Sequence, residues 1–141
     1  NKLLTFNKEE SFACVDIAVV DLNSGQADIV KIGSPCGFIL SGSAVKILEG
    51  SALPLGILDC MRPDSASYDL HENDVLLFVS DGITDSAAGE SQCLWLLDYL
   101  DTTTEEDPDA IARHIVSSAA ERGSNDDISA IVLMVDKAKD M

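Results

Sequence analysis

The sequence has few basic residues and no long apolar run, and each shortage argues against a class of protein. Nine lysines and arginines stand against 25 aspartates and glutamates, which gives a net charge of −16 over 141 residues. That charge repels a phosphate backbone and an anionic membrane surface, so neither nucleic acid nor a membrane contact is expected. No window of about 18 consecutive apolar residues is present, so no transmembrane helix is expected either. No secretory leader is present, and a cytoplasmic location is therefore predicted.

Motifs for soft metals are also lacking. The cysteines form no C-x-x-C pair and lie far apart in sequence, and only two histidines could join them: Cys14, Cys36, Cys60, Cys93, His71 and His114. A zinc site is therefore not expected. Apolar neighbours in the sequence predict that all four cysteines are buried thiols in a reducing compartment.

Short apolar stretches separated by turn residues predict hairpins in the first half of the chain. β-branched and apolar residues without interruption are typical of strands, and Asn-Ser-Gly and Ser-Gly-Ser segments are typical of the turns between them. The predicted strands are Phe12–Leu22, Gln26–Ile32, Gly37–Leu40, Ala44–Leu48 and Asp64–Leu70.

The second half combines two continuous apolar strands with two helices. Val75–Ser80 and Ile128–Val135 are apolar except for Ser80 and Ser129, which indicates strands buried on both faces. Ser91–Leu100 has helical spacing, with Trp95 as a packing residue. Pro108–Arg122 is the clearest helix, because Asp107 can cap its start, Gly123 suits its end, and His114 falls on its packed face.

This order of elements predicts an α+β fold of mainly antiparallel sheets flanked by helices. The whole chain, residues 1–141, is expected to form a single domain, with residues 137–141 as a solvated tail. Because the chain starts without Met and has few elements to cover two apolar strands, we expect it to be a piece of a longer domain.

Carboxylates follow or precede the two apolar strands. Asp81 comes directly after Val75–Ser80, at a strand end where sites are commonly built, and Gly82 permits a sharp turn there. Asp126 and Asp127 precede the last strand and repel each other unless a cation or a donor compensates. Capping of the next turn would account for Asp81 equally well, and a solvated turn is the simpler account of Asp126 and Asp127 taken alone. Taken together, they favour a hard cation such as Mg²⁺ or Mn²⁺.

Five motifs in order resemble the stage II sporulation protein E branch of the metal-dependent type-2C (PPM) protein phosphatases. A strand followed by a Gly turn opens the series. The remaining motifs are Lys31-Ile32-Gly33-Ser34-Pro35, Leu53-Pro54-Leu55-Gly56-Ile57, Val79-Ser80-Asp81-Gly82-Ile83-Thr84-Asp85 and Asn125-Asp126-Asp127-Ile128-Ser129. The resemblance extends over about residues 11–136.

The resemblance implies a layered sandwich of antiparallel sheets and hydrolysis of phosphoserine or phosphothreonine with two Mn²⁺ or Mg²⁺ ions. Asp81 and Asp126 match the late metal ligands of that family and are the predicted catalytic and metal-binding residues. Asp127 matches a position where the family has Asn or Asp, so a supporting role is expected. Strand parity does not choose between Asp126 and Asp127, and the assignment of Asp126 depends on the family pattern alone.

One family motif is missing. The chain has a single Asp-Gly, Asp81-Gly82, whereas the family carries an early Asp-Gly-Met-Gly whose carboxylate bridges the two ions. The chain therefore resembles the C-terminal part of a phosphatase domain, incomplete at its N-terminal side, with ligands for at most one ion. Alone it is expected to be inactive and to self-associate.

The resemblance also implies a biological setting. The substrate would be a phosphoserine protein, an anti-sigma-factor antagonist in bacterial sporulation, and the longer parent would be membrane-anchored. Two other interpretations remain open. A receiver-like module would use Asp81 as a phosphoacceptor but needs parallel strands, and a non-catalytic interaction domain would not depend on manganese.

Overall fold

The computed structural model describes residues 12–57, 63–86 and 93–136. The chain divides into two compact units, each assembled from two separate stretches of sequence. One unit combines residues up to Ser34 with Glu49–Leu70, and the other combines Pro35–Leu48 with residues from His71 onward. Among the described helices, none is long and apolar enough to cross a membrane.

The first unit is built on a three-stranded antiparallel sheet. Its strands are β1 (Val15–Val20), β2 (Gln26–Ile32) and β5 (Asp64–Asp69), in the order β1-β2-β5. Side chains alternate along β2, so that Ala27, Ile29 and Lys31 are buried on one face. The predicted bounds of β2 are confirmed, and those of β5 differ by one residue.

Strand β1 is shorter than the predicted Phe12–Leu22. The chain leaves the strand at Asp21, whose carboxylate accepts a hydrogen bond from the Asn23 backbone N–H at 2.8 Å. This side chain–backbone bond starts the turn to β2 and competes with further strand pairing. Gly25 completes the turn at φ 76°, in the left-handed region that glycine adopts without strain.

The second unit is built on a four-stranded antiparallel sheet. Its strands are β3 (Gly37–Ser41), β4 (Ala44–Leu48), β6 (Val75–Val79) and β7 (Ala130–Met134), in the order β4-β3-β6-β7. The hairpin β3–β4 and the central position of β6 agree with the sequence, and β6 is buried as predicted, with only Phe78 partly accessible.

Three helices are described, α1 (Asp81–Thr84), α2 (Leu94–Thr102) and α3 (Pro108–Glu121). Helix α3 confirms its predicted start, because the Asp107 side chain accepts a hydrogen bond from the Asp109 N–H at 3.1 Å. Helix α2 runs two residues beyond its predicted end, while residues 91–92 of the predicted Ser91–Leu100 helix lie outside the described residues. Helix α1 was not predicted, since one turn carries no periodic signal.

The core of the second unit lies between its sheet and helices α2 and α3. Fully or nearly fully buried side chains include Leu77, Leu96, Ile111 and Ile115. Trp95 is a core residue as predicted, 7% exposed, with the Arg122 guanidinium carbon 4.9 Å from its ring centroid.

His114 lies on helix α3 and is exposed, although its ring stacks on Tyr99 with centroids 4.1 Å apart. The sequence placed this histidine on the packed face of the helix with no role as a ligand. The stacking contact agrees with a packing role, while the high exposure shows that it lies at the rim of that face.

Two predictions of burial are wrong. Strand β7 is not buried on both faces, because Ile131 is 60% and Leu133 48% exposed while their neighbours are half-buried. Cys14 is exposed, although Cys93 is buried and Cys36 half-buried, and Cys60 lies outside the described residues. Apolar neighbours in the sequence were therefore not enough to predict which of these side chains face solvent.

The predicted α+β class is confirmed, since every described strand pair is antiparallel and helices accompany the second sheet. Antiparallel pairing throughout the described strands removes the basis of the receiver-like alternative, which requires parallel βαβ units. The predicted tail, residues 137–141, lies outside the described part of the chain.

Candidate metal centre

Asp81 is placed where β6 stops and a single helical turn begins. Ser80 is the N-cap of helix α1 with extended backbone angles, and Asp81 is the first helical residue. The Asp81 side chain is exposed, and its Oδ1 accepts a hydrogen bond from the Gly82 N–H at 3.0 Å. The buried residues that follow, Gly82, Ile83 and Thr84, anchor the turn beneath this carboxylate.

The second acidic segment is the loop before β7. The Asp126 carboxylate accepts a hydrogen bond from the Asp127 backbone N–H at 2.8 Å, so this side chain is oriented by its own loop. The Asp126 N–H in turn donates to the Ser124 hydroxyl at 3.4 Å. Both Asp126 and Asp127 are exposed.

Ser80 joins the two acidic segments. Its hydroxyl donates to the Asp127 carbonyl oxygen at 3.0 Å and accepts from the Ser129 N–H at 2.9 Å. Its backbone N–H donates to the Ser129 carbonyl oxygen at 2.9 Å, which extends the β6–β7 ladder by one residue. Sequence reasoning named Ser80 within a motif but gave it no role, because its partners lie 47 and 49 residues away.

Gly82 allows the segments to touch. A Cβ atom at this position would clash with the Asp127 carbonyl oxygen and would lie 3.3 Å from the Asp126 carbonyl oxygen. The group that approaches Gly82 closely in the structure is the protein's own loop, at the Asp127 carbonyl. The backbones that carry Asp81 and Asp126 are therefore in direct contact.

The local charge is uncompensated within the described part of the chain. The ion pairs found there are Lys31–Asp16, His71–Asp74 and Arg113–Asp109, and none of them includes Asp81, Asp126 or Asp127. Carboxylates on contacting segments that lack a basic partner favour binding of a cation.

The donors present suit a hard divalent ion. Carboxylate and carbonyl oxygens are the ligands preferred by Mg²⁺ and Mn²⁺, and no thiol or imidazole contributes to the two segments. No group of three or more acidic, histidine or cysteine side chains that could hold an ion occurs among residues 12–57, 63–86 and 93–136. The described residues can therefore contribute part of a coordination shell, and further ligands would have to come from elsewhere.

Solved structures establish the class of protein. The phosphatase domain of the cell fate determinant SpoIIE from Bacillus subtilis, presoaked with Mn, matches with a TM-score of 0.78 and 26% identity. That match covers 99% of this chain and 64% of the solved chain. A structure of the PP2C phosphatase domain with a fragment of the regulatory domain of the same protein matches with a TM-score of 0.77 and 27% identity, covering 84% of this chain and 36% of the other. The fold is that of the PP2C, or PPM, phosphatase domains.

The family is established by sequence. A model of the stage II sporulation protein E (SpoIIE) family matches residues 1–136, and the chain belongs to that family. Stage II sporulation protein E from Bacillus subtilis strain 168 is 27% identical over 132 residues, which cover 91% of this chain and 16% of the relative. The chain thus spans about two thirds of the solved phosphatase domain and a sixth of the whole relative.

Proposed function

We propose that this chain forms part of a Mn²⁺- or Mg²⁺-dependent protein serine/threonine phosphatase, with Asp81 and Asp126 as ligands of one ion. The observation that supports this most directly is the Ser80 bridge, which holds two exposed carboxylate-bearing segments together at the adjacent ends of β6 and β7. Family membership supplies the reaction class, and the chemistry of the oxygen donors supplies the choice of ion.

A bound divalent ion would lower the pKa of a coordinated water and neutralise developing charge on a phosphoryl oxygen. The contribution of the protein is to orient the carboxylates before the ion arrives. Asp81 and Asp126 each use Oδ1 to accept a local backbone N–H. Within the described residues their Oδ2 atoms accept no hydrogen bond, so these oxygens are available to a cation.

We further propose that the substrate is a phosphoserine on a regulatory protein, an anti-sigma-factor antagonist in sporulation, and that the reaction takes place in the cytoplasm. Family membership supports the link to sporulation. The exposure of Asp81 and Asp126 supports a protein substrate, since a phosphorylated loop can approach a site at the surface. The longer parent is proposed to carry a membrane anchor outside this chain.

Manganese binding to the chain tests the site. Free Mn²⁺ is measured by electron paramagnetic resonance during titration of the 141-residue chain and of Asp81→Asn, Asp126→Asn and Asp127→Asn. We expect the first two substitutions to abolish most binding and Asp127→Asn to do less, since Asn keeps the size of the side chain but removes the charge. Asp98→Asn, at an exposed position on α2, is the matched control.

The titration also separates the alternatives. If Asp127→Asn abolishes binding while Asp126→Asn leaves it intact, and both variants stay folded by circular dichroism, the ligand assignment is wrong by one residue. Absence of specific binding by the wild-type chain would favour the non-catalytic interaction domain.

Catalysis is tested with a fused protein. The chain alone is expected to release no phosphate from a phosphoserine peptide, because it lacks the early Asp-Gly motif. Fusion to the segment of the Bacillus subtilis domain that carries this motif is expected to give manganese-dependent release that Asp81→Asn abolishes. Enzyme-like turnover by the isolated chain would refute the proposal that the early Asp-Gly motif must supply further metal ligands. A fusion that is folded and metal-loaded but inactive would refute the proposed phosphatase activity.

A further inference from the structure

Two cysteines that are distant in sequence lie side by side in the second unit. Cys36 immediately precedes β3, Cys93 is the N-cap of α2, and the Sγ atoms are 3.4 Å apart across 57 residues of sequence. Cys36 packs against the hydrophobic core of the second unit, and Cys93 is buried in it. Both belong to the same compact unit.

The backbone at Cys93 is unusual. Its φ angle of 73° lies in the left-handed region, which is uncommon for a residue with a side chain. Cys93 is also buried, 7% exposed, which limits the movement of its thiol beside Cys36.

The two thiols differ in accessibility. Cys36 is half-buried and Cys93 is buried. The hydrogen bond with Cys36, followed by burial, raises the pKa of the Cys93 thiol, so Cys93 remains protonated at neutral pH. Cys36 is therefore the thiol that a small oxidant reaches first.

We propose that Cys36 and Cys93 form an oxidation site that closes to a disulfide when the protein meets a peroxide. The Cys36 sulfur attacks one peroxide oxygen and the O–O bond breaks; the displaced hydroxide takes the proton of the Cys36 thiol, so that Cys36 sulfenic acid and one water result. The Cys93 sulfur then attacks the sulfenic sulfur and displaces hydroxide, which takes the Cys93 proton and leaves as a second water. Two S–H bonds are lost, one S–S bond forms, and the peroxide takes up two electrons.

The movement required is small. A disulfide has an S–S length of about 2.05 Å, so the Sγ atoms must approach by about 1.3 Å from their 3.4 Å separation. Rotation of the Cys36 side chain can provide this approach, because that residue is only half-buried. The bond would connect the start of a central strand, β3, to the start of helix α2 and would restrict the unfolded chain across a long loop.

Intact mass spectrometry tests the proposal on the full chain. Dithiothreitol-reduced protein is treated with hydrogen peroxide under native conditions. One part is weighed intact, and the other is alkylated and digested to find linked peptides. We expect a loss of about 2 Da, a peptide linking Cys36 to Cys93, reversal by dithiothreitol, and a rise in Tm of about 5–15 °C in the oxidised protein.

Three variants make the test specific. Cys36→Ser and Cys93→Ser are expected to lose both the cross-link and the rise in Tm. Cys14→Ser, the matched control at an exposed position, is expected to retain them. A wild-type product in which Cys36 gains oxygen without forming the link, or links to Cys60 instead, would overturn the proposal even if one serine variant failed to fold.

Discussion

At the scale of single residues, carboxylates in this protein orient backbone loops. Asp64 opens β5, and its Oδ2 accepts hydrogen bonds from the Ser51 N–H, from the Ser51 hydroxyl at 2.8 Å and from the Ala52 N–H at 3.1 Å. These bonds favour the ionised form, so the backbone N–H of Ser51 above all lowers the pKa of Asp64. One exposed carboxylate thereby ties a loop to the edge strand of the first sheet.

This arrangement predicts a pH-dependent contribution to stability. The folded pKa of Asp64 lies below its unfolded value of about 3.8, so its contribution is fully present above that value and is lost as pH falls through the lower, folded pKa. Asp64→Asn should therefore lower the urea midpoint at neutral pH and have progressively less effect below about pH 4. Urea titrations from neutral to strongly acidic pH measure this, with Asp98→Asn as an exposed control. An effect of Asp64→Asn that is the same at every pH would contradict it.

Ser80 offers a second prediction at this scale. If its hydroxyl positions the Asp126–Asp127 loop against Asp81, Ser80→Ala should weaken Mn²⁺ binding by about tenfold, the lower end of effects seen for residues that orient metal ligands. Ser80→Thr keeps the hydroxyl and should largely restore binding. The paramagnetic resonance titration measures both affinities, and equal losses in the two variants would show that the hydroxyl is not responsible.

At the scale of elements, helix α3 owes its start to a single side chain. Asp107 accepts the Asp109 N–H, and Pro108 occupies the first helical position, where a missing N–H costs nothing. Asp107→Ala should lower the free energy of unfolding by about 1 kcal/mol, whereas Asp107→Ser should cost much less because serine also caps. Urea unfolding followed by circular dichroism compares the two variants. If both lose the same free energy, capping is not the cause.

Local chemistry explains which elements the sequence predicted. Strand β2 and helix α3 carry their signals within a few residues, as alternation in one and as a cap, a proline and a helical apolar face in the other. Asp81, Asp126 and Asp127 could also be placed at strand ends, because the neighbouring apolar runs mark where β6 and β7 lie.

Features that depend on distant partners could not be predicted in this way. The Ser80 bridge, the contact of Gly82 with the Asp127 carbonyl and the Cys36–Cys93 pair each join segments tens of residues apart. The exposed face of β7 was missed for a related reason, since its continuous apolar sequence carries no alternation to show which side faces solvent.

At the scale of the whole molecule, β7 is the most exposed apolar feature of the second sheet. It lies at the end of the strand order among the described strands, and Ile131 and Leu133 project from it into solvent. Unpaired strand edges and apolar faces favour association between copies. The isolated chain should therefore self-associate.

Sedimentation velocity measures this association. At about 100 μM, within the range where exposed apolar surfaces associate, the wild-type chain should sediment faster than a monomer. Replacing Ile131 and Leu133 with threonine, a β-branched residue suited to strands, should shift the distribution towards monomer. A wild-type monomer throughout this concentration range would count against the prediction.

Each unit combines two separate stretches of sequence, and this order has a consequence for synthesis on the ribosome. The hairpin β3–β4 is made before β7, which its unit also needs and whose last residue, Met134, lies far beyond Leu48 in the sequence. At about 5–20 residues per second, the hairpin waits on the order of ten seconds for its sheet to be completed. During that interval Phe38 and Leu40, buried in the finished protein, have no completed core to enter. We therefore expect the nascent chain to be bound by chaperones that recognise short apolar segments until β7 has been made.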